Sequence, residues 1–359
     1  MIRNFSLYIN SLIGIFLFIA CSKHVSSPQK INQVQVIGSH NSYKKAIDDS
    51  LYSYLATQDS TGRLKGLQYE HILIPEQLSM GLRNLEVDVY VDSKGGKFSH
   101  PKGIALVKNQ TEYDPERLLD KPGFKMIHVP DIDFRTQYYL FENCLKDLKS
   151  WSENHPDHTT IFITIEPKDG EENNFGTLPE AFTVAAYQEL DETLLKFLGK
   201  EHLITPDDVR GNFETLNKAV LADNWPDLNE GKGKFMFILD TKGEKMERYI
   251  KNHPSLKNRI IFTNSDPGTP EAAAMIINDP YDERIPDLVK KGYIIRTRAD
   301  ANTTEARNND YSRFEMAKKS GAQIITTDYY LPSTFFASDY HINFGKNTFY
   351  RDNPINNKS

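Results

Sequence analysis

Cysteine is nearly absent from this chain: two residues in 359, Cys21 and Cys144. With Cys21 read as a lipid-bearing residue (below), Cys144 has no intrachain partner, which rules out a disulfide framework. Basic residues do not exceed acidic ones. Lys and Arg number 43 against 49 Asp and Glu, a formal charge of −6, which argues against a nucleic-acid footprint and against a strong general pull to anionic membranes. No glycine-rich phosphate fingerprint follows the first strand-like run, so a dinucleotide fold is disfavoured. Internal repeats are absent. What is present is a globular composition, 39% hydrophobic and 26% charged. The length is long for an ordinary domain but normal for an α/β barrel that runs as a single unit.

The N-terminus reads as a leader rather than as fold. Met1-Ile2-Arg3 gives a weakly positive start, and Leu12 to Ile19 is an apolar run broken by Gly14. That run is too short to span a bilayer but suits the core of a signal peptide. It ends in Phe18-Ile19-Ala20-Cys21-Ser22, which resembles a bacterial lipoprotein signal in which the cysteine takes the lipid, with Phe18 where Leu is usual. The division this implies is a signal peptide over 1–20, lipidated Cys21 and a polar tether over 21–32, and a catalytic barrel with a C-terminal tail over 33–359. The expected location is the bacterial cell envelope, lipid-anchored in the outer membrane or facing the periplasm.

Short β-branched runs recur along the rest. Strands are predicted at Gln33–Gly38, Leu82–Tyr90, Lys125–Val129, Thr160–Glu166, Lys234–Asp240, Arg259–Asn264, Tyr293–Arg298 and Gln323–Asp328. Phe141–Trp151, Phe182–Leu198 and Ser312–Lys319 carry apolar residues three to four apart and read as helices between them. Alternation of this kind implies a parallel sheet, and about eight strands imply a closed TIM-type (β/α)8 barrel. Leu51–Glu70 and Lys168–Thr177 read as long loops over a site. Cys144 reads as a buried helix residue.

Polar chemistry gathers where the strand-like runs end, the side on which such barrels carry their active sites. His40-Asn41 offers an imidazole for proton transfer and a side-chain carbonyl for a metal. Glu86 and Asp88, two apart, point to one face of a strand and repel each other unless a cation joins them, and Ca²⁺ accepts such oxygens. Glu166 ends the apolar strand Ile161 to Ile165 and needs a partner, with a shared metal the economical one; Lys168 faces the same way and can meet a phosphate. For a second imidazole, the Gly95-Gly96 turn is expected to bring His100 back to the carboxylates, with His128 the competitor. Arg298 or Arg296 can grip a phosphate or polyol, and Tyr329 can offer a flat face to a sugar-like ring. An imidazole beside hard oxygens is what metal-assisted phosphodiester cleavage needs.

Taken in order, His40-Asn41-Ser42-Tyr43, Leu85-Glu86-Val87-Asp88-Val89, Phe98-Ser99-His100, Ile165-Glu166-Pro167-Lys168-Asp169-Gly170 and Arg296-Thr297-Arg298-Ala299-Asp300 resemble the bacterial Ca²⁺-dependent phosphatidylinositol-specific phospholipases C. The likeness runs from about residue 36 to near the end. It implies Asn41, Glu86, Asp88 and Glu166 as Ca²⁺ ligands and His40 with His100 as the catalytic pair. It also implies attack of the inositol 2-hydroxyl on phosphorus, releasing diacylglycerol and a cyclic inositol phosphate. The chain departs from the family pattern by extra residues between Tyr43 and Glu86 and by Pro167.

Two other readings compete. A glycerophosphodiester phosphodiesterase uses a similar barrel but typically opens with His-Arg-Gly, where this chain has His40-Asn41. A non-catalytic Ca²⁺-binding surface lipoprotein has no use for two histidines near the metal. The partners expected are therefore a phospholipid or inositol phosphodiester and, through the lipid anchor, a membrane.

Overall fold

The computed structural model describes residues 28–170 and 177–356. Eight parallel strands form its centre: β1 Val34–Ser39, β2 Asn84–Tyr90, β3 Ile161–Lys168, β4 Phe235–Leu239, β5 Phe262–Thr263, β6 Ala274–Ile276, β7 Ile294–Arg298 and β8 Ile324–Thr327. They run side by side in the order β5-β4-β3-β2-β1-β8-β7-β6. The remaining gap is bridged by a parallel pairing of Asn264 with Ala274, so the sheet closes into a ring. β1, β2 and β4 are buried along their whole length, as strands covered on both faces must be.

The expected barrel is present, with one strand exchanged. Lys125–Val129 is not a stave. Lys125 pairs antiparallel with Tyr90 and with Leu140, and Val129 with Asp133, which lays this segment across the end of β2. The sixth stave is the three-residue β6, too short to show an alternating pattern and preceded by Pro267-Gly268-Thr269-Pro270.

Helices pack on the outer face. Phe141–Asn154 turns Phe141, Cys144, Leu145, Leu148 and Trp151 inward, and these join Leu85, Val87 and Val89 of β2 in one core. Each such side chain contributes roughly 2 kcal/mol by leaving water. Cys144 is thus a buried helix residue, as expected, and burial pushes its thiol far up. Val184–Leu198 and Ser312–Ser320 also form where the apolar spacing put helices.

Three boundaries differ from the sequence reading. The stretch read as a long loop from Leu51 holds the helix Asp49–Gln58, capped by Asp48, whose carboxylate accepts from the Ser50 amide. The end of the segment read as a tether is folded, because Ile31 and Asn32 are buried and Lys30 pairs with Asp227. The C-terminal tail is structural: β9, Tyr350–Asp352, runs antiparallel to β1. Val36 pairs with Ile324 of β8 and with Tyr350, so β9 takes the edge of β1 that β2 meets only at Gly38. Cys21 and the signal peptide lie outside the described residues. Among the described residues, no helix is long and apolar enough to cross a membrane.

Gly38 is where β1 and β2 converge, and a Cβ there would collide with the backbone and Cβ of Asn84. Gly38→Ala is expected to destabilise the protein by about 2 kcal/mol, seen as a melting temperature lower by several degrees. An unchanged melting temperature would contradict this close approach.

Candidate active site

Period two along the staves decides which side chains enter the barrel mouth. β2 and β7 are separated by β1 and β8, yet the Arg296 guanidinium meets the Glu86 carboxylate. That pair can only cross the interior. Glu86, Asp88, Arg296 and Arg298 therefore face inward, and Glu166, Cα partner of Asp88, faces in with Lys168.

His40 leaves the end of β1 and donates its backbone N–H to the Thr327 carbonyl of β8 at 3.1 Å. β8 lies beside β1 with Ser39 opposite Thr327, so Asp328 arrives next to the ring. Its carboxylate lies 2.7 Å from His40 Nδ1, while Arg298 Nη1 lies 3.2 Å from Nε2. A carboxylate on one nitrogen and an N–H donor on the other fix the tautomer: Nδ1 carries the proton and Nε2 the lone pair. Burial, and next the Arg298 charge, push the His40 pKa down, so the ring rests neutral. Burial pushes Asp328 up, but His40 and Arg298 outweigh it and hold the carboxylate well below its ordinary range. Arg298 also reaches Asp328 Oδ2 at 3.2 Å and the Asp300 carbonyl at 2.9 Å.

The loop after β1 is clamped onto β2. The Glu86 amide donates to Ser42 Oγ at 2.8 Å and the Ser42 amide to the Glu86 carbonyl at 2.9 Å. Gln77 accepts from Ser39 Oγ at 2.6 Å and donates to the Ser42 carbonyl at 2.7 Å. Asn41 sits at φ 48°, a left-handed turn that Asn tolerates. Its Nδ2 donates to the Tyr69 hydroxyl at 2.8 Å, turning the amide oxygen away from Tyr69.

The carboxylates answer to cations. Burial raises Glu86, yet Arg296, with His40, Arg298 and Lys168, brings it below its ordinary pKa. Lys168 Nζ stands 2.6 Å from Glu166 Oε1 and 3.3 Å from Asp88 Oδ2. Asp88 is fully buried beside the Tyr43 hydroxyl, and neither of its oxygens has a well-formed hydrogen bond. Burial, with Glu166 and Glu86 adding to it against Lys168 and His128, pushes it up to about 7. Asp240, at the end of β4, is pushed up to about 6 chiefly by burial. Among the described residues, no three His, Cys, Asp or Glu already converge as a metal cluster. Lys168 and Arg296 hold the oxygens instead. The donor set fits Ca²⁺ all the same: hard oxygens at neighbouring strand ends, with a buried carboxylate that lacks a well-formed hydrogen bond.

His100 is not brought to this cluster. Gly96 donates to the Leu119 carbonyl at 2.8 Å and Ser99 Oγ to Asp120 at 2.6 Å. The Gly95-Gly96 turn therefore packs on the 119–120 segment and leaves His100 exposed on the wall of a separate cavity. His128 comes instead. Tyr90 and Lys125 exchange both backbone hydrogen bonds at 2.9 Å, and the Tyr90 hydroxyl donates to the His128 carbonyl at 3.1 Å. This lays His128 over the end of β2, where its charge acts on Asp88. Asp133 Oδ2 lies 2.6 Å from its Nδ1.

Tyr329 does not offer an open face. Its ring is buried edge-on against Phe336 and Tyr340, and it lines a cavity of about 140 Å³ with Tyr69, His71 and Asp328. Asp328 and Asp133 went unassigned in the sequence. Asp328 was within reach, because a closed barrel sets its last strand beside its first.

A parallel barrel with an aspartate-backed histidine, a guanidinium and a carboxylate group at its mouth suits an enzyme that cleaves phosphodiesters. The family described as "Phosphoinositide phospholipase C, Ca2+-dependent" matches residues 29–354, and the chain belongs to it. It is thus a phosphodiesterase of the phosphatidylinositol phospholipase kind, with Ca²⁺ as cofactor. The fold is similar to that of a calcium-dependent phosphoinositol-specific phospholipase C from a Gram-negative Pseudomonas species in complex with myo-inositol. That match has TM-score 0.51 and 15% identity, over 90% of this chain and 96% of that one. A Ca²⁺-dependent phosphatidylinositol-specific phospholipase C from Streptomyces antibioticus gives TM-score 0.52 and 18% identity, over 87% and 99%. No curated protein sequence matches significantly.

Asp328→Asn is expected to fold, by circular dichroism, and to lose about 100-fold or more in kcat, the scale of a positioned acid–base group. A kcat within tenfold of the parent would contradict the role of this pair.

Proposed function

We propose that the chain cleaves phosphatidylinositol-type lipids by attack of the inositol 2-hydroxyl on phosphorus, with His40 as base and His128 as acid. The observation that carries this reading is the His40 ring held between Asp328 Oδ1, 2.7 Å from Nδ1, and Arg298 Nη1, 3.2 Å from Nε2. An entering phosphate draws the Arg298 guanidinium onto its oxygens, which uncovers Nε2. Nε2 then takes the proton of the 2-hydroxyl as the new O–P bond forms. The bond from phosphorus to the glycerol oxygen breaks, and that oxygen takes a proton from His128, whose imidazolium form Asp133 supports. The products are diacylglycerol and a cyclic inositol phosphate.

Asn41, Glu86, Asp88 and Glu166 are the side chains that would hold Ca²⁺. Bound there, the ion lowers the pKa of the attacking hydroxyl and stabilises charge on the phosphoryl oxygens. Lys168, whose side chain reaches the surface, releases the carboxylates and is then available to the phosphate. The likeness of Phe18-Ile19-Ala20-Cys21-Ser22 to a lipoprotein signal supports a lipid anchor at the cell envelope.

Release of inositol phosphate from phosphatidylinositol micelles is expected to stop with chelator and return with Ca²⁺. His40→Ala and His128→Ala should each lower the rate about 100-fold or more, while His100→Ala stays within about twofold, since that side chain is exposed. Phosphorus NMR should show the cyclic ester first. A His100→Ala loss matching that of His128→Ala would overturn the assignment of the acid, and an acyclic first product would overturn the 2-hydroxyl attack.

A further inference from the structure

We infer that Lys44 is a positioning residue for catalysis, acting through Asp133 on His128; the inference rests on the reading of His128 as the acid. Lys44 follows the His40-Asn41-Ser42-Tyr43 string, and its side chain is completely buried. Its ammonium donates to the carbonyls of Tyr69 at 2.7 Å and Leu67 at 3.0 Å, and sits 4.5 Å from the centre of the Tyr69 ring. These contacts fix its place, and there it stands 3.3 Å from Asp133 Oδ1.

Asp133 is also completely buried, and its two oxygens divide the work: Oδ2 accepts the hydrogen bond of His128 Nδ1–H, and Oδ1 accepts no hydrogen bond and stands beside the ammonium. A buried carboxylate without a cation would draw a proton from its neighbour. Lys44 supplies that balancing charge, 3.3 Å from the oxygen that does not meet His128. His128 can then give its Nε2 proton to the leaving oxygen instead of holding it as one half of a tight ion pair. Charged and titratable groups facing this pair are Lys44 from the loop after β1, Tyr69 from the 59–73 segment, and Asp88 and Tyr90 from β2. Lys44 also anchors the backbone of Tyr69, whose hydroxyl orients Asn41. One ammonium thus ties the second histidine to the loop that carries the first.

The test is the pH–rate profile of full-length Lys44→Met on phosphatidylinositol micelles with saturating Ca²⁺. Removing the nearby positive charge favours the protonated ring, so the alkaline limb should move up by roughly half a unit or more. At neutral pH, kcat should fall about tenfold or more at little-changed KM. In Lys44→Met/Asp133→Asn, which buries no charge at either position, kcat should match Asp133→Asn alone, because coupled residues are not additive. That comparison stands even where Lys44→Met alone does not fold. A parental pH profile in Lys44→Met overturns the proposal, as does a further tenfold loss in the double variant. His128→Ala separates the two levels: full activity there removes the acid assignment together with this proposal. Loss there, with a parental Lys44→Met profile, removes this proposal alone.

Discussion

Charge buried in the mouth of the barrel has to be neutralised, and the rest of the site follows from that requirement. Glu86 is met across the interior by Arg296, Asp88 and Glu166 by Lys168, and Asp328 by Arg298. Removing one partner of such a pair typically costs about 3–5 kcal/mol, because the other charge stays behind. The carboxylates nevertheless outnumber the cations. Asp240 and Asp300 have no full counter-charge, and burial pushes them up to about 6 and about 7. An interior with surplus carboxylate is poised for a divalent cation, and it holds arginine and lysine side chains that phosphate can claim.

The barrel and its outer segments divide the chemistry between them. Staves β1, β7 and β8 fix His40, Arg298 and Asp328 through backbone pairing, which leaves their geometry little freedom. The second histidine has a different origin. It rides on the crossover between β2 and β3, docked antiparallel to the end of β2 and stiffened by the Val129–Asp133 pairing. His128 therefore belongs to a layer laid over the barrel and held by Tyr90, Asp133 and Lys44.

Much of this was legible in the residues. The barrel, the packed helices, and Glu86, Asp88, Glu166 and Lys168 on shared inner faces follow from periods of 3.6 and 2. His40 and Arg298 also lie where the strand ends put them. What was hidden depends on contacts distant in sequence. β6 is only three residues long, so it carries no pattern. The route after Gly95-Gly96 depends on its docking to the 119–120 segment, which no local rule encodes, and the histidine choice turned on it. Lys125–Val129 looks like a stave because it is apolar, yet its partners are the end of β2 and Leu140. Lys44 looks like an exposed loop lysine, and only the fold shows that it is buried against Asp133.

The carboxylates at the end of β2, Asp88 foremost, are the proposed Ca²⁺ ligands on which the site depends. Calorimetric titration of the full chain with Ca²⁺, beside Asp88→Asn, tests that role without substrate. The account predicts one site in the parent and its loss, or a weakening of about tenfold or more, in the variant, as removal of one charged oxygen ligand requires. Absence of binding in the parent, or equal affinity in Asp88→Asn, would contradict it.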